Sequence, residues 1–383
     1  MKRLVVFSND AILSYYKKQE IKPRYFNPGN FFDEVHIISF AKKEVEEEKV
    51  SVLAGSARLK IHSIDNPFSL KSFFLFFLKR EKIIELLRQI NPDTIRAYNS
   101  QLAGYLAAYA GKRLRVPSVL SLHTNLDECR DHKSCQFRRG LHLFISKFFF
   151  EPYALSYVDK TICASHFLEA YARKYGARDL KVIYNKVYTQ DYKTSEDSKE
   201  KKRPLKILTV GRLDPPKNQE CIIKAIKDLD VELTLIGDGR NYKSLSNLVR
   251  ELKIDHKVRF IRSVPNQEIC KLYKKSDIFA ISSFYEGFCI PVLEAMAASL
   301  PIIVNDKEPL PEVLGGTGIV VRNDTKSFNE ALKKLICDDE LRLTLGKKAR
   351  KRAEQLDGEI MERKETELYQ ELFDKVISER KEL

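Results

Sequence analysis

Short apolar runs alternate along this chain with longer stretches whose apolar positions recur every three or four residues, and the alternation starts twice. The first series passes through Leu4–Phe7, Val35–Phe40, Thr94–Tyr98 and Ser118–Leu122, with helical stretches over Glu81–Ile90 and Leu102–Ala110. The second opens at Leu205–Gly211 and continues through Val231–Gly237, Val258–Ile261, Asp277–Ile281, Pro301–Asn305 and Gly318–Val321, with helices expected over Gln219–Asp228 and Tyr242–Lys253. Strands separated by whole helices predict parallel sheets covered on both faces. The fold class expected is therefore α/β, with two Rossmann-like, doubly wound domains.

Between the two series lies Asp191–Pro204, DYKTSEDSKEKKRP, which is charged and lacks apolar periodicity. It reads as a linker. The expected division is a first domain over 1–190, the linker over 191–204 and a second domain over 205–358. A charged helical stretch over 359–383 could cross back to the first domain. The 383 residues and 43% hydrophobic content suffice for a core in each domain.

The chain begins MKRLVVFSND, whose apolar run of four suits a first strand rather than a secretory signal. No run reaches the roughly 18 apolar residues of a membrane span. Seven cysteines without framework spacing suggest reduced thiols, and the expected location is cytoplasmic. Cys129, His132, Cys135 and His123 do not have the closer pairing of a zinc site, so no metal is expected. The net charge of +14 points to an anionic partner: nucleic acid, phospholipid or a diphosphate.

Two segments are both basic and aromatic, Ser69–Gln89 and Lys133–Phe150. Each fits either a core helix with a solvated rim or a segment lying peripherally on an anionic membrane surface.

Candidate chemistry concentrates in the second domain. Ser282–Ser299, SSFYEGFCIPVLEAMAAS, reads as a loop entering a helix after a strand. Phe288, Cys289 and Ile290 fall at the helix start, where unpartnered N–H groups and the helix dipole favour a phosphate, and Pro291 suits an early helical position. Glu286 and Glu294, eight positions apart, would be about 12 Å apart along a helix. They are expected to read different parts of one ligand, a sugar and a nucleoside ribose. Val210–Asn218, VGRLDPPKN, places Gly211 at a strand end and offers Arg212 and Lys217 to a diphosphate, with Asn218 as a helix cap. In the first domain, His123 follows the strand ending at Leu122 and stands at a carboxyl edge, where such sheets bind ligands.

With both motifs in view, the chain resembles the retaining glycosyltransferases of family four. The match rests on Glu286-x7-Glu294 and on GRLDPPKN at Gly211–Asn218. It is supported by LIGDG (Leu235–Gly239), SVPNQEICKLYKKSDIF (Ser263–Phe279), LPIIVND (Leu300–Asp306) and PEVLGGTGIVV (Pro311–Val321). First-domain support is looser, resting on SVLSLHT, CASHFLEAY (Cys163–Tyr171) and VIYNKV (Val182–Val187). The resemblance implies the GT-B fold, two Rossmann-like domains facing a central cleft, and transfer of a hexose-like sugar from a nucleotide-diphosphate donor with retention and without a cofactor or required metal. It implies that Arg212 and Lys217 hold the diphosphate, Glu294 the ribose, and Glu286 with the Phe288–Ile290 backbone the donor sugar. His123 would approach that sugar, and Gly211 and Asn185 would line the donor site. A glycan or lipid-linked acceptor and a place in cell-envelope glycan biosynthesis follow as expectations.

The chain departs from the family at three places. Ser8, Asn9 and Asp10 stand where a glycine-rich loop is frequent, Cys289 stands where Gly is common, and Lys186 follows Asn185 in place of a frequent Gly. A glycosidase with two carboxylates, a nucleotide-sugar epimerase of the same fold and a non-enzymatic nucleic-acid-binding protein remain as other readings. Asp228 and Asp230 read as turn residues rather than a metal-binding Asp-x-Asp.

Overall fold

The computed structural model describes residues 1–65, 73–131, 144–193 and 204–381. The chain forms two units: one contains Met1–Arg130, the segment ending at Ile183 and the residues from Met361 on, and the other contains Tyr184–Ile360.

The first unit is built on seven strands: β1 (Arg3–Phe7), β2 (Glu34–Ser39), β3 (Arg58–Ser63), β4 (Thr94–Ala97), β5 (Ser118–Leu122), β6 (Lys160–Cys163) and β7 (Leu180–Val182). All pairings are parallel, in the order β3-β2-β1-β4-β5-β6-β7. The central strands are buried on both faces, as enclosure between helical layers demands, with Arg96 the one charged residue within β4. The second unit has β8 (Leu205–Val210), β9 (Val231–Ile236), β10 (Val258–Ile261), β11 (Ile278–Ile281), β12 (Ile302–Asn305) and β13 (Ile319–Val321), again all parallel, in the order β10-β9-β8-β11-β12-β13. These are the two doubly wound domains that the alternation predicts.

Element boundaries differ from the pattern in instructive ways. The helix expected from Glu81 starts at Phe73, because its first two turns are aromatic and leucine-rich and show no polar break. The helix after Asn218 ends at Ala225 rather than Asp228. The change of unit falls at Tyr184, before the expected linker, and Thr189–Tyr192 forms a short 3-10 turn whose Tyr192 is buried in the second unit. The linker's residues 194–203 lie outside the described residues, as do His132, Cys135 and parts of both basic aromatic segments.

The helix Gly358–Lys381 leaves the second unit at Ile360 and belongs to the first from Met361 on. A buried arginine explains its attachment. Arg96 of β4 is 2% exposed. It donates to Ser121 Oγ at 2.9 Å, to the Tyr369 hydroxyl at 2.7 Å and to Glu365 Oε1 at 2.9 Å. A charge this buried is tolerated only when paired and hydrogen-bonded, so the helix supplies what the strand requires. No helix among the described residues is long and apolar enough to cross a membrane.

Candidate active site

In the second sheet the strand order reverses between β8 and β11. Chain connections leave these two neighbours in opposite directions, which opens a crevice at their carboxyl ends, the usual ligand position in such sheets. The loop after β8 carries Gly211, Arg212 and Lys217, and the loop after β11 carries Glu286. Both motifs singled out in the sequence therefore meet at one switch point.

Hydrogen bonds join the loops. Phe284 N–H donates to the Pro216 carbonyl at 2.7 Å, and Ser282 Oγ to the Asn218 carbonyl at 2.7 Å. Lys217 Nζ forms an ion pair with Glu286 Oε1 across the crevice, and Ser283 Oγ donates to the same oxygen at 2.7 Å. Asn305, at the end of β12, holds the Ser283 carbonyl at 2.6 Å, and Asn323 holds that of Ser282 at 3.1 Å. On the other side, a Cβ at Gly237 would collide with the Gly211 carbonyl, so the loops after β8 and β9 approach only because that residue is glycine. Leu213 N–H to Asp238 O and Asn241 N–H to Leu213 O fasten them together.

Arg212 differs from Lys217. Its side chain is 74% exposed and meets Asp214 at 3.1 Å, so it is solvated and movable. Asn218 does not cap the following helix as expected. It sits in the left-handed region at φ 48° and turns its side chain to Asn323 Oδ1 at 3.0 Å, fixing the turn between the loops instead.

The helix Ile290–Ala297 starts at the last of the three residues, Phe288–Ile290, that the motif puts at its beginning. Cys289 is its first flanking residue, at φ 78°, with Pro291 in the first turn. That left-handed backbone is the physical reason glycine suits position 289, and the thiol that stands there is buried, its pKa pushed up by burial and then by the Glu286 charge. Phe288 is buried, its ring 5.4 Å from that of Tyr184. Tyr184 donates to Glu312 at 3.1 Å, and its pKa is pushed up to about 12, first by burial and then by that carboxylate. Asn185, half-buried, follows it directly.

Glu294, one turn into the helix, is 7% exposed and accepts the Tyr273 hydroxyl on Oε2 at 2.7 Å. The Tyr192 hydroxyl bonds the same carboxylate. Burial first and the Glu294 charge second hold both phenols far above their ordinary pKa, so both remain donors. Sequence reasoning missed this clamp. Its only sequence trace for Tyr192 is a lone aromatic at the start of a charged run, which is easily read as linker.

The first unit has its own switch point, between β1 and β4, with a different character. Asn99 donates to Asn9 Oδ1 there at 2.5 Å. The helix Ile12–Lys17 receives a carboxylate from its own chain: Glu44 accepts Ile12 N–H at 2.9 Å and Leu13 N–H at 2.6 Å, as well as Ser39 Oγ. Where a glycine-rich loop would leave these N–H groups for a phosphate, Glu44 neutralises them. His123 is half-buried after β5 and stacks on Tyr98, with ring centroids 5.9 Å apart. Asp228 and Asp230 stand before β9, at the amino end of the sheet and away from the crevice. Among the described residues no three His, Cys, Asp or Glu side chains converge as metal ligands would.

Comparisons with known proteins agree with this architecture. Residues 191–352 match the family "Glycosyl transferases group 1", and residues 33–191 match "Glycosyltransferase Family 4". An uncharacterised glycosyltransferase of Methanocaldococcus jannaschii is 26% identical over 89% of this chain and 91% of its own length. A Campylobacter jejuni N-acetylgalactosaminyltransferase, which acts on a diphospho-undecaprenol-linked sugar by its name, is 34% identical over 39% of this chain and 42% of its own. Among solved structures, Anabaena HepE in complex with UDP superposes with a TM-score of 0.75 at 20% identity, covering 97% of this chain and all of that one. Sucrose-phosphate synthase of Thermosynechococcus elongatus gives the same TM-score at 17% identity, with the same coverage. These likenesses establish the two-domain GT-B fold.

Proposed function

We propose that this chain, which belongs to the group 1 glycosyltransferases, moves a hexose-like sugar with retention from a nucleoside-diphosphate donor to a glycan or lipid-linked acceptor. The observation that carries the reading is the Lys217–Glu286 ion pair spanning the switch point of the second sheet. Each partner satisfies the other until a ligand offers something better. A diphosphate brings two anionic groups to Lys217 and to the exposed Arg212, and a sugar brings hydroxyl donors to the Glu286 carboxylate that Ser283 orients. The reaction breaks the bond between the anomeric carbon and the diphosphate oxygen. The acceptor oxygen bonds to that carbon on the same face, and the acceptor proton passes to the departing phosphate. Arg212 and Lys217 stabilise the negative charge that builds on the leaving group, a task that cations perform without a metal.

Glu294, held by two tyrosines, takes the ribose hydroxyls, and Gly211, Asn185 and the Phe288–Ile290 backbone line the donor site. His123 lies at a carboxyl edge of the first unit, on the acceptor side. Glu44 supports this division of labour, because it fills in the first unit the helix end that a nucleotide phosphate would need. The acceptor belongs to the cell envelope, and the enzyme works in the cytoplasm at the membrane surface.

The test is calorimetry and thermal shift against a panel of nucleoside diphosphates and nucleotide sugars, with and without magnesium, followed by NMR of the product anomer. One base is expected to bind equally well in both conditions and the product to keep the donor's configuration. Absence of binding by every nucleoside diphosphate refutes the donor reading, binding only with magnesium refutes metal independence, and an inverted product refutes retention.

A further inference from the structure

The first unit carries a surface that the proposed reaction does not use. Phe77 and Leu78 are 49% and 63% exposed, and Phe144, Phe148 and Phe149 are 58%, 58% and 68% exposed. These residues flank a buried aromatic joint. Phe76, on the helix Phe73–Ile90, and Phe150, ending the π-helical turn Ser146–Phe150, lie 6.1 Å apart, and both pack on Tyr105, at 5.8 and 5.3 Å. The joint fixes the backbone on both sides, and the flanking side chains emerge from it into solvent. Phe144 and Phe148 pair one helical turn apart at 4.7 Å, so their apolar area is gathered rather than scattered.

Cations outnumber acids around them. Lys82, Lys112 and Arg113 are exposed, and Lys147 is partly so, with Asp127 only within 4.0 Å. The acids on the same helix are already matched: Glu81 accepts from Arg80 at 3.0 Å and from the Tyr109 hydroxyl at 2.8 Å, and Glu85 accepts from Arg88 at 3.0 Å. Tyr157, 48% exposed, carries Lys112 Nζ 4.2 Å from its ring centroid.

We infer that this surface docks on a bilayer containing anionic lipid, with Phe77, Leu78, Phe144, Phe148 and Phe149 entering the acyl boundary and the surrounding cations meeting lipid phosphates. Large apolar side chains gathered on a basic ground suit a fluid lipid interface, and the net positive rim complements anionic headgroups. The attachment lies on the membrane and does not span it. This deepens the reading above and rests on it for its purpose, since a lipid-linked acceptor is presented only at such a surface.

Sedimentation of the whole protein with sucrose-loaded vesicles tests the inference, using phosphatidylcholine alone and phosphatidylcholine with phosphatidylglycerol, at low and high salt. Binding is expected only with phosphatidylglycerol, weakening by about tenfold or more as salt screens the headgroups. Phe148→Ser with Phe149→Ser, and separately Lys82→Glu with Lys147→Glu, should each lower the partition coefficient by about tenfold or more. Both variants should keep the wild-type thermal midpoint and nucleoside-diphosphate affinity, which shows that they fold. No binding to either vesicle, or binding that the variants leave unchanged, overturns the inference. So does concentration-dependent self-association that the same variants abolish, because that makes a second copy the occupant. Nucleotide binding without vesicle binding defeats this inference alone, and vesicle binding without nucleotide binding defeats only the donor reading.

Discussion

Replacing Tyr273 by Phe removes one oxygen from the buried clamp on Glu294, and the consequence can be worked out from the geometry. The hydroxyl lies 2.7 Å from Oε2 of a carboxylate that is 7% exposed, on a tyrosine that is completely buried. Water cannot readily replace it. A hydrogen bond to a charged group contributes about 1.5–3 kcal/mol net, and removing one atom leaves almost no cavity, so about 2 kcal/mol should be lost from the second unit. With a denaturant slope of about 2 kcal/mol/M, the urea midpoint should fall by about 1 M. Binding should respond less, because the Tyr192 hydroxyl still positions the carboxylate. Nucleoside-diphosphate Kd is expected to rise about three- to tenfold in Tyr273→Phe and more in Glu294→Gln, with the double variant no worse than Glu294→Gln alone. Titration calorimetry on the four proteins closes the cycle. Full nucleotide affinity in Tyr273→Phe, or effects that simply add, would refute the argument that the tyrosine works through Glu294.

Three further outcomes are expected. Arg96→Met strands the buried Glu365 carboxylate and should cost about 3–5 kcal/mol in chemical denaturation, most of it recovered by adding Glu365→Gln; a loss below about 1 kcal/mol would show that the pair does not secure the helix. Arg212→Ala, at an exposed position, should leave the thermal midpoint within about a degree of wild type while raising nucleoside-diphosphate Kd more than about tenfold, whereas Lys217→Met should lower both stability and affinity because it leaves Glu286 with Ser283 alone; scanning and titration calorimetry separate the two. The stacked pair His36–His62, with Nδ1 of one 3.0 Å from Nε2 of the other, has both pKa values depressed chiefly by burial; at His36 the neighbouring His62 lowers it further while Glu34 opposes, and at His62 Glu47 opposes the burial without overcoming it. The unfolded chain then takes up protons first, so stability should be full above a histidine's ordinary value of about 6.5 and fall as pH drops through and below it, which His36→Phe should flatten in urea midpoints measured from about pH 8 to about pH 5.5.

The two parallel sheets were legible in the sequence because strand and helix periods alternate cleanly, and Glu286, Arg212 and Lys217 were legible because loop positions after strands follow from that alternation. The partners of these residues were not. An ion pair between Lys217 and Glu286 requires β8 and β11 to be neighbours, and strand order leaves no mark on local periodicity. Arg96 illustrates the same gap: within TIRAY it is one polar residue in a strand, and what makes it tolerable is a helix more than two hundred residues later. Tyr192 was misplaced for the opposite reason, since its neighbours are charged and its burial depends on Tyr273 and Glu294, far along the chain. Glu44, too, shows in the sequence only as one acid among several, yet it decides that the first helix end is closed.

The return of the C-terminal helix also sets an order of events during synthesis. Glu365 is made 269 residues after Arg96, which at ribosomal speeds of about 5–20 residues per second is a delay of roughly 13–54 s. The second unit is made within that interval and ends at Ile360, so it has all its residues just before Glu365 completes the first. The unit that leaves the ribosome first is therefore the one finished last, and a nascent chain stalled just short of Met361 would hold a completed second unit and a first unit whose buried arginine still lacks its carboxylate.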